Sequence, residues 1–206
     1  MKWLMNNWDQ VIKALGEHIF VSGSALLLAF AVSLPLGIWA ARSNRVMTIA
    51  LGISGVLYTI PTMALLALLI PIVGLGKTNA ILAMVMFSLM ILIRNVATGI
   101  REVPADVVDA ARGMGMNTAQ VLRRIELPLA APVIVAGLRV AAVTVISITV
   151  VAAFVNAGGL GDIIFSGMSS DHSAKIWVGA LTACLLSVLV DVSLHAVENR
   201  LRKGAV

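Results

Sequence analysis

Five stretches of this chain contain no Lys, Arg, Asp, Glu or His for fifteen residues or more: 19–41, 46–76, 78–93, 140–161 and 176–190. A helix needs about 20 predominantly apolar residues to cross a hydrocarbon layer of about 30 Å. The first, second and fourth stretches reach that length alone. The third reaches it from about Leu75, and the fifth if it continues past Asp191 to about Val197. None alternates polar and apolar positions as the strands of a membrane barrel do. The pattern predicts an all-α membrane protein with five transmembrane helices within residues 19–197.

Residues 1–18 read differently. At helical spacing Leu4, Trp8, Val11, Ile12 and Leu15 share one face, and Asp9, Gln10, Lys13 and Glu17 share the other. That predicts a short helix lying in the membrane interface, with Trp3 and Trp8 at headgroup depth. The acidic residues and the length of the apolar run that follows argue against a cleaved signal peptide. At the other end, residues 198–206 form a basic tail.

Composition agrees with the pattern. The chain is 60% hydrophobic and 12% charged, with mean hydropathy +1.00, where a soluble domain carries about 25% charged residues. Charge adds orientation. Five spans put the termini on opposite sides, and an outer N-terminus leaves Arg42, Arg45, Arg94, Arg101, Arg112, Arg123, Arg124, Arg139, Arg200, Arg202 and Lys203 inside. Those are 11 of the 15 Lys and Arg; Lys2, Lys13, Lys77 and Lys175 remain outside. Lys and Arg accumulate on the cytoplasmic side, so the N-terminus is expected outside and the C-terminus in the cytoplasm. The net charge of +5 then needs no nucleic acid to explain it.

Candidate chemistry is sparse. No G-x-x-x-x-G-K-[ST] phosphate loop occurs, and Gly159-Leu160-Gly161 lacks the third glycine and the context of a dinucleotide fingerprint. His18, His172 and His195 are scattered without metal-ligand spacing, and Cys184 has no pairing partner. The sequence predicts no metal, no cofactor and no catalytic site, and so a chain that is not an enzyme by itself.

The polar segment 94–132 is the exception to the apolar pattern, and its length far exceeds what a reversal of direction requires. Pro104 suits a first helical turn, with Asp106 and Asp109 early in that helix. Gly113 and Gly115 end it. Asn117 and Gln120 have capping-box spacing for a second short helix, and Pro128 and Pro132 punctuate the approach to the fourth span. Ala110 and Ala111 leave the backbone open to close approach by another protein, with Arg112, Arg123 and Arg124 as anchors at the rim.

Asp109-Ala110-Ala111, Gly115 and Ile125-Glu126-Leu127-Pro128 resemble, with both spacings intact, the E-A-A…G…I-x-L-P signature of permease subunits in ATP-binding-cassette importers. Asp109 replaces the glutamate and keeps its charge. The resemblance implies that Asp109, Ala110, Ala111, Gly115, Ile125, Leu127 and Pro128 belong to a loop that couples to an ATPase. It also implies partners: two ATPase subunits, a second permease subunit (another copy or a relative) and an extracellular solute-binding protein, in a bacterial or archaeal cell membrane. The stretches 59–76 and 152–168 are similar to permeases of the glycine betaine, carnitine and choline branch, and methionine-type importers share the five-span plan. Tyr58, Thr59, Pro61 and Asn156 are candidates to line the solute path, because Pro61 and Pro71 interrupt helical hydrogen bonding where a watery cavity tolerates it. Asp191, in the fifth span, is expected to pair with His195 one turn on. As the ion site of a secondary carrier it would carry the competing reading.

Overall fold

The computed structural model describes Trp3 and residues 6–204, which are helical almost throughout, with no strand among the described residues. Lys2 and Leu4 lie outside that range. The helices are α1 (Trp8–Arg42), α2 (Asn44–Thr59), α3 (Thr62–Val73), α4 (Lys77–Arg101), α5 (Ala105–Gly113), α6 (Thr118–Val121), α7 (Leu127–Val151), α8 (Leu160–Ser169) and α9 (Ser173–Gly204). A π-helical turn, Leu122–Glu126, joins α6 to α7, and a 3-10 turn, Ala152–Val155, follows α7.

Helix α1, helix α4, the continuous run Thr118–Val155 and the run Ser173–Lys203 are each long and apolar enough to cross a membrane. Helices α2 and α3 meet the same criterion only as a pair, bent by 99° at their junction, and together make the fifth candidate span. Pro61 causes the bend. It has no N–H to donate, and its ring forces Ile60 out of the helical region to φ −69°, ψ 126°. Pro71, by contrast, lies inside α3 without interrupting it.

Helix α4 is central and packs on α1, α2, α3 and α7. Small residues make the close approaches: Ala29 and Ala40 of α1, Ala80, Ala83 and Ala97 of α4, and Ala141 of α7 are all fully buried. At Gly37 a Cβ would stand 2.5 Å from Val96 Cβ, so α1 and α4 touch there only because the side chain is missing. Helix α9 leans on α7 and α8 and leaves Trp177, Leu181, Leu185, Leu189 and Val192 exposed. An apolar face that long suits lipid and not water.

Three boundaries differ from the sequence reading. First, residues 8–18 are not a separate helix: α1 runs through them unbroken, because Val11 and Ala14 pack against Leu160, Ile163 and Ala183. Second, α4 does not stop at Ile93 but continues through Arg94 to Arg101. Third, the helix that begins at Thr118 is no separate short element. It feeds through the π turn into the fourth span, where Leu127 N–H donates to Leu122 O and the wider turn accommodates Pro128. The helix α9 likewise absorbs residues 198–204 of the basic tail.

Candidate coupling loop and solute path

The loop between the third and fourth spans is built from its punctuation. Pro104 caps α5, and Asp106 lies in the first turn, where the helix dipole favours it. The helix closes at Gly113, and the chain reverses through Gly115 at φ +84°, with Gly115 N–H on Arg112 O and Met116 N–H on Ala111 O. A left-handed residue there strongly favours glycine. The capping box forms as spelled: Gln120 N–H donates to Asn117 Oδ1 at 3.0 Å, and Asn117 N–H to Gln120 Oε1 at 2.8 Å.

This geometry sorts the signature residues. Asp109, Ala110 and Gly115 are exposed, and Asp109 reaches Arg112 at 3.7 Å. Ala111 is buried and packs the turn from within. Met114, at the tip, is 73% exposed, an apolar knob that the sequence reading did not single out. Ile125 and Pro128 line a concavity of about 460 Å³ with Val107, Arg124 and Arg200. Leu127 instead packs beside Val96, Ile100 and Ala130, against the end of α4.

Glu126 is the further member of the loop. It is buried, and Arg42, the last residue of α1, grips it with both guanidinium nitrogens, Nη1 to Oε1 at 2.8 Å and Nη2 to Oε2. Arg101 donates to Ala40 O and Ala41 O at 2.7 and 3.1 Å, so it closes the same end of α1 from α4. A glutamate set between Ile125 and Leu127 was the available signal, since a carboxylate among apolar residues requires a partner. Its partner, 84 residues away, was not legible.

The path candidates fall in two places. Tyr58 lies in the last turn of α2 beside the bend, with its ring edge-on to Phe87 at 5.8 Å, and Thr59 Oγ1 donates to Val56 O at 2.7 Å within its own helix. Pro61 is the bend itself. Asn156 is exposed at φ 58°, in a loop whose Gly158 and Gly159 are also left-handed. That loop is tied to α1. Gly159 N–H donates to Glu17 Oε2 and Leu160 N–H to His18 Nδ1, each at 3.3 Å. His18 is completely buried, and because Nδ1 accepts, Nε2 carries the proton and donates to Ile146 O at 3.1 Å. Lys77 faces Glu17 at 3.4 Å. Burial, with a smaller contribution from the Glu17 charge, pushes the nearby Asp162 carboxyl above its usual range.

Asp191 does not pair with His195. It meets Arg139 Nε of α7 at 2.8 Å, and Arg139 also reaches the buried Glu198 at 3.0 Å and His195 Nδ1 at 2.7 Å. The Arg139 guanidinium is charged throughout, and the contact of α9 with α7 brings it into reach.

Against known proteins, residues 33–203 match a family described as the binding-protein-dependent transport system inner membrane component. The carnitine transport permease protein OpuCB of Listeria monocytogenes is 36% identical over 99% of this chain and 94% of its own. The glycine betaine/carnitine/choline transport system permease protein OpuCD of Bacillus subtilis is 40% identical, covering 95% and 86%. The choline transport system permease protein OpuBB of that organism is 36% identical, covering 98% and 93%. Among solved structures, a chain of the MetNI methionine ABC transporter in an inward-facing form superposes with a TM-score of 0.81 over 97% of this chain and 96% of its own. At 20% identity that likeness shows the fold alone.

Proposed function

The chain belongs to the family of binding-protein-dependent transport system inner membrane components, as a multi-pass permease subunit, and on that premise we propose that it imports quaternary-ammonium osmoprotectants such as glycine betaine, carnitine and choline. The observation that carries the reading is 36–40% identity to permeases of those solutes along nearly the whole chain. The methionine-type alternative has only the shared fold behind it. A secondary carrier driven through Asp191 is disfavoured, because Arg139 already holds that carboxylate.

In the proposed mechanism ATP hydrolysis belongs to two separate ATPase subunits, and this chain supplies the moving part. Helix α5 and the Gly115 turn, with Asp109, Ala110 and Met114 exposed, seat on the ATPase. Ile125, Leu127 and Pro128 sit at the root of the fourth span, and Glu126 joins that root to α1 through Arg42. A displacement of the loop therefore reaches α1, α4 and α7 together, because buried, interlocked helices move as bodies. A second permease subunit completes the path, which Tyr58, Thr59, Pro61 and Asn156 border, and a solute-binding protein delivers the cargo. The arginine distribution supports a cytoplasmic loop and C-terminus, with the N-terminus outside.

The test is uptake of labelled glycine betaine, carnitine, choline and methionine in cells with and without this gene, at low and high salt. Deletion is expected to remove quaternary-ammonium uptake and spare methionine. Loss of methionine uptake alone would overturn the substrate and keep the machine.

A further inference from the structure

An arginine within a spanning helix is costly unless it is paired or faces water. Arg94 and Arg139 both lie within spanning helices, and the fold treats them oppositely. Arg139 of α7 is held by Asp191 and Glu198. Arg94 of α4 has no acidic partner among the described residues and is exposed on the isolated chain. It stands two helical turns before Arg101, about 10 Å along the axis. Side chains on a helix lean toward its N-terminus, here away from the arginine-bearing end. Arg94 accordingly lines a concavity of about 260 Å³ with Tyr58, Met90, Ile91 and Asn95. Met90 and Ile91 lie one turn deeper on the same face of α4. Arg94 thus borders a concavity that reaches past its own position to Tyr58 of the second span.

The rest of the concavity has its own chemistry. None of its five residues is acidic. Tyr58 stands at the bend of the second span, where irregular backbone at membrane depth belongs beside protein or a water-filled cavity. A planar guanidinium matches a carboxylate in two parallel hydrogen bonds, and an aromatic face attracts a quaternary ammonium.

We propose that this concavity is a solute subsite on the transport path, in which Arg94 takes a carboxylate and the Tyr58 ring faces a quaternary ammonium. It selects compact zwitterions that carry both groups over a cation that carries the ammonium alone, which Arg94 repels. The proposal rests on the osmoprotectant reading above and goes beyond it by naming what ranks the solutes.

The experiment uses the assembled importer in membrane vesicles, with uptake of glycine betaine, carnitine and choline normalised to permease in the membrane. Arg94→Gln is expected to lower the ratio of betaine and carnitine uptake to choline uptake about tenfold or more, the worth of a lost charge-assisted hydrogen bond. Arg94→Lys, which keeps charge but not the fork, is expected to lower that ratio by less. Tyr58→Leu is expected to reduce all three solutes together, about 2- to 20-fold. An unchanged ratio in both Arg94 variants overturns the subsite, as does a parallel loss of all three solutes in Arg94→Gln. Wild-type vesicles that import none of the three overturn the substrate reading itself, an outcome visible before any variant is compared.

Discussion

The two ends of the helical bundle are closed by different chemistry. At the end that carries the proposed coupling loop, charged side chains reach across helices: Arg42 holds the buried Glu126 carboxylate, and Arg101 donates to the last carbonyls of α1. Deeper along the same half, Arg139 bridges Asp191 and Glu198. At the opposite end the one charged pair among the described residues, Lys77 with Glu17, is long at 3.4 Å, and Glu17 and His18 mainly accept backbone N–H groups from a loop with three left-handed residues. Charged pairs fix one helix against another in one geometry. Backbone bonds to a glycine loop hold a segment whose dihedrals can change at little cost. On the proposed mechanism, the end fixed by charged pairs is the one that receives force, and the end held by the glycine loop is the one that opens.

That division makes graded predictions. The largest effect is expected from Arg42→Ala, which strands the Glu126 carboxylate, 3% exposed, and should cost about 3 kcal/mol. Thermal unfolding in detergent would show it, and the paired replacement Arg42→Met with Glu126→Leu should recover most of the loss. At the other end His18→Ala removes two hydrogen bonds and leaves a cavity, a loss of about 2 kcal/mol in the same assay. Glycine-loop amides, followed by hydrogen exchange, should lose protection in that variant while α5 keeps its own. Asp191→Asn should cost only about 1 kcal/mol, because both partners are partly exposed and Arg139 retains Glu198.

The smallest effect is Asp162→Asn. The raised Asp162 pKa means the folded state holds that proton more tightly than the unfolded chain does. Its stabilising contribution is therefore present at low pH and is lost as pH rises through the folded pKa. The amide should raise the melting temperature slightly at pH 7, by no more than about 2 °C, and leave it unchanged near pH 3.

Much of this was legible in the chain, for local reasons. The five spans follow from uninterrupted apolar runs, and the α5 cap, the Gly115 turn and the Asn117–Gln120 box follow from residue types a few positions apart. The illegible parts are long-range. Arg94 and Arg139 read as loop charges because an arginine usually ends an apolar run, and only the packing of α9 on α7 shows what Arg139 meets. The first span extends back through residues 8–18 because α8 and α9 bury Val11 and Ala14, contacts that periodicity cannot express. Glu126 stands inside its motif, and its value depends on Arg42 arriving from another span.

The central claim is that the loop transmits ATPase motion and performs no chemistry. Gly115→Val in the reconstituted importer tests it most directly. A Cβ at Gly115 would meet no atom within 4 Å, so the change strains one exposed turn without disturbing the spans. The expected result is normal insertion and helix content, with solute uptake and solute-stimulated ATP hydrolysis both abolished. Normal uptake by that variant would contradict the account.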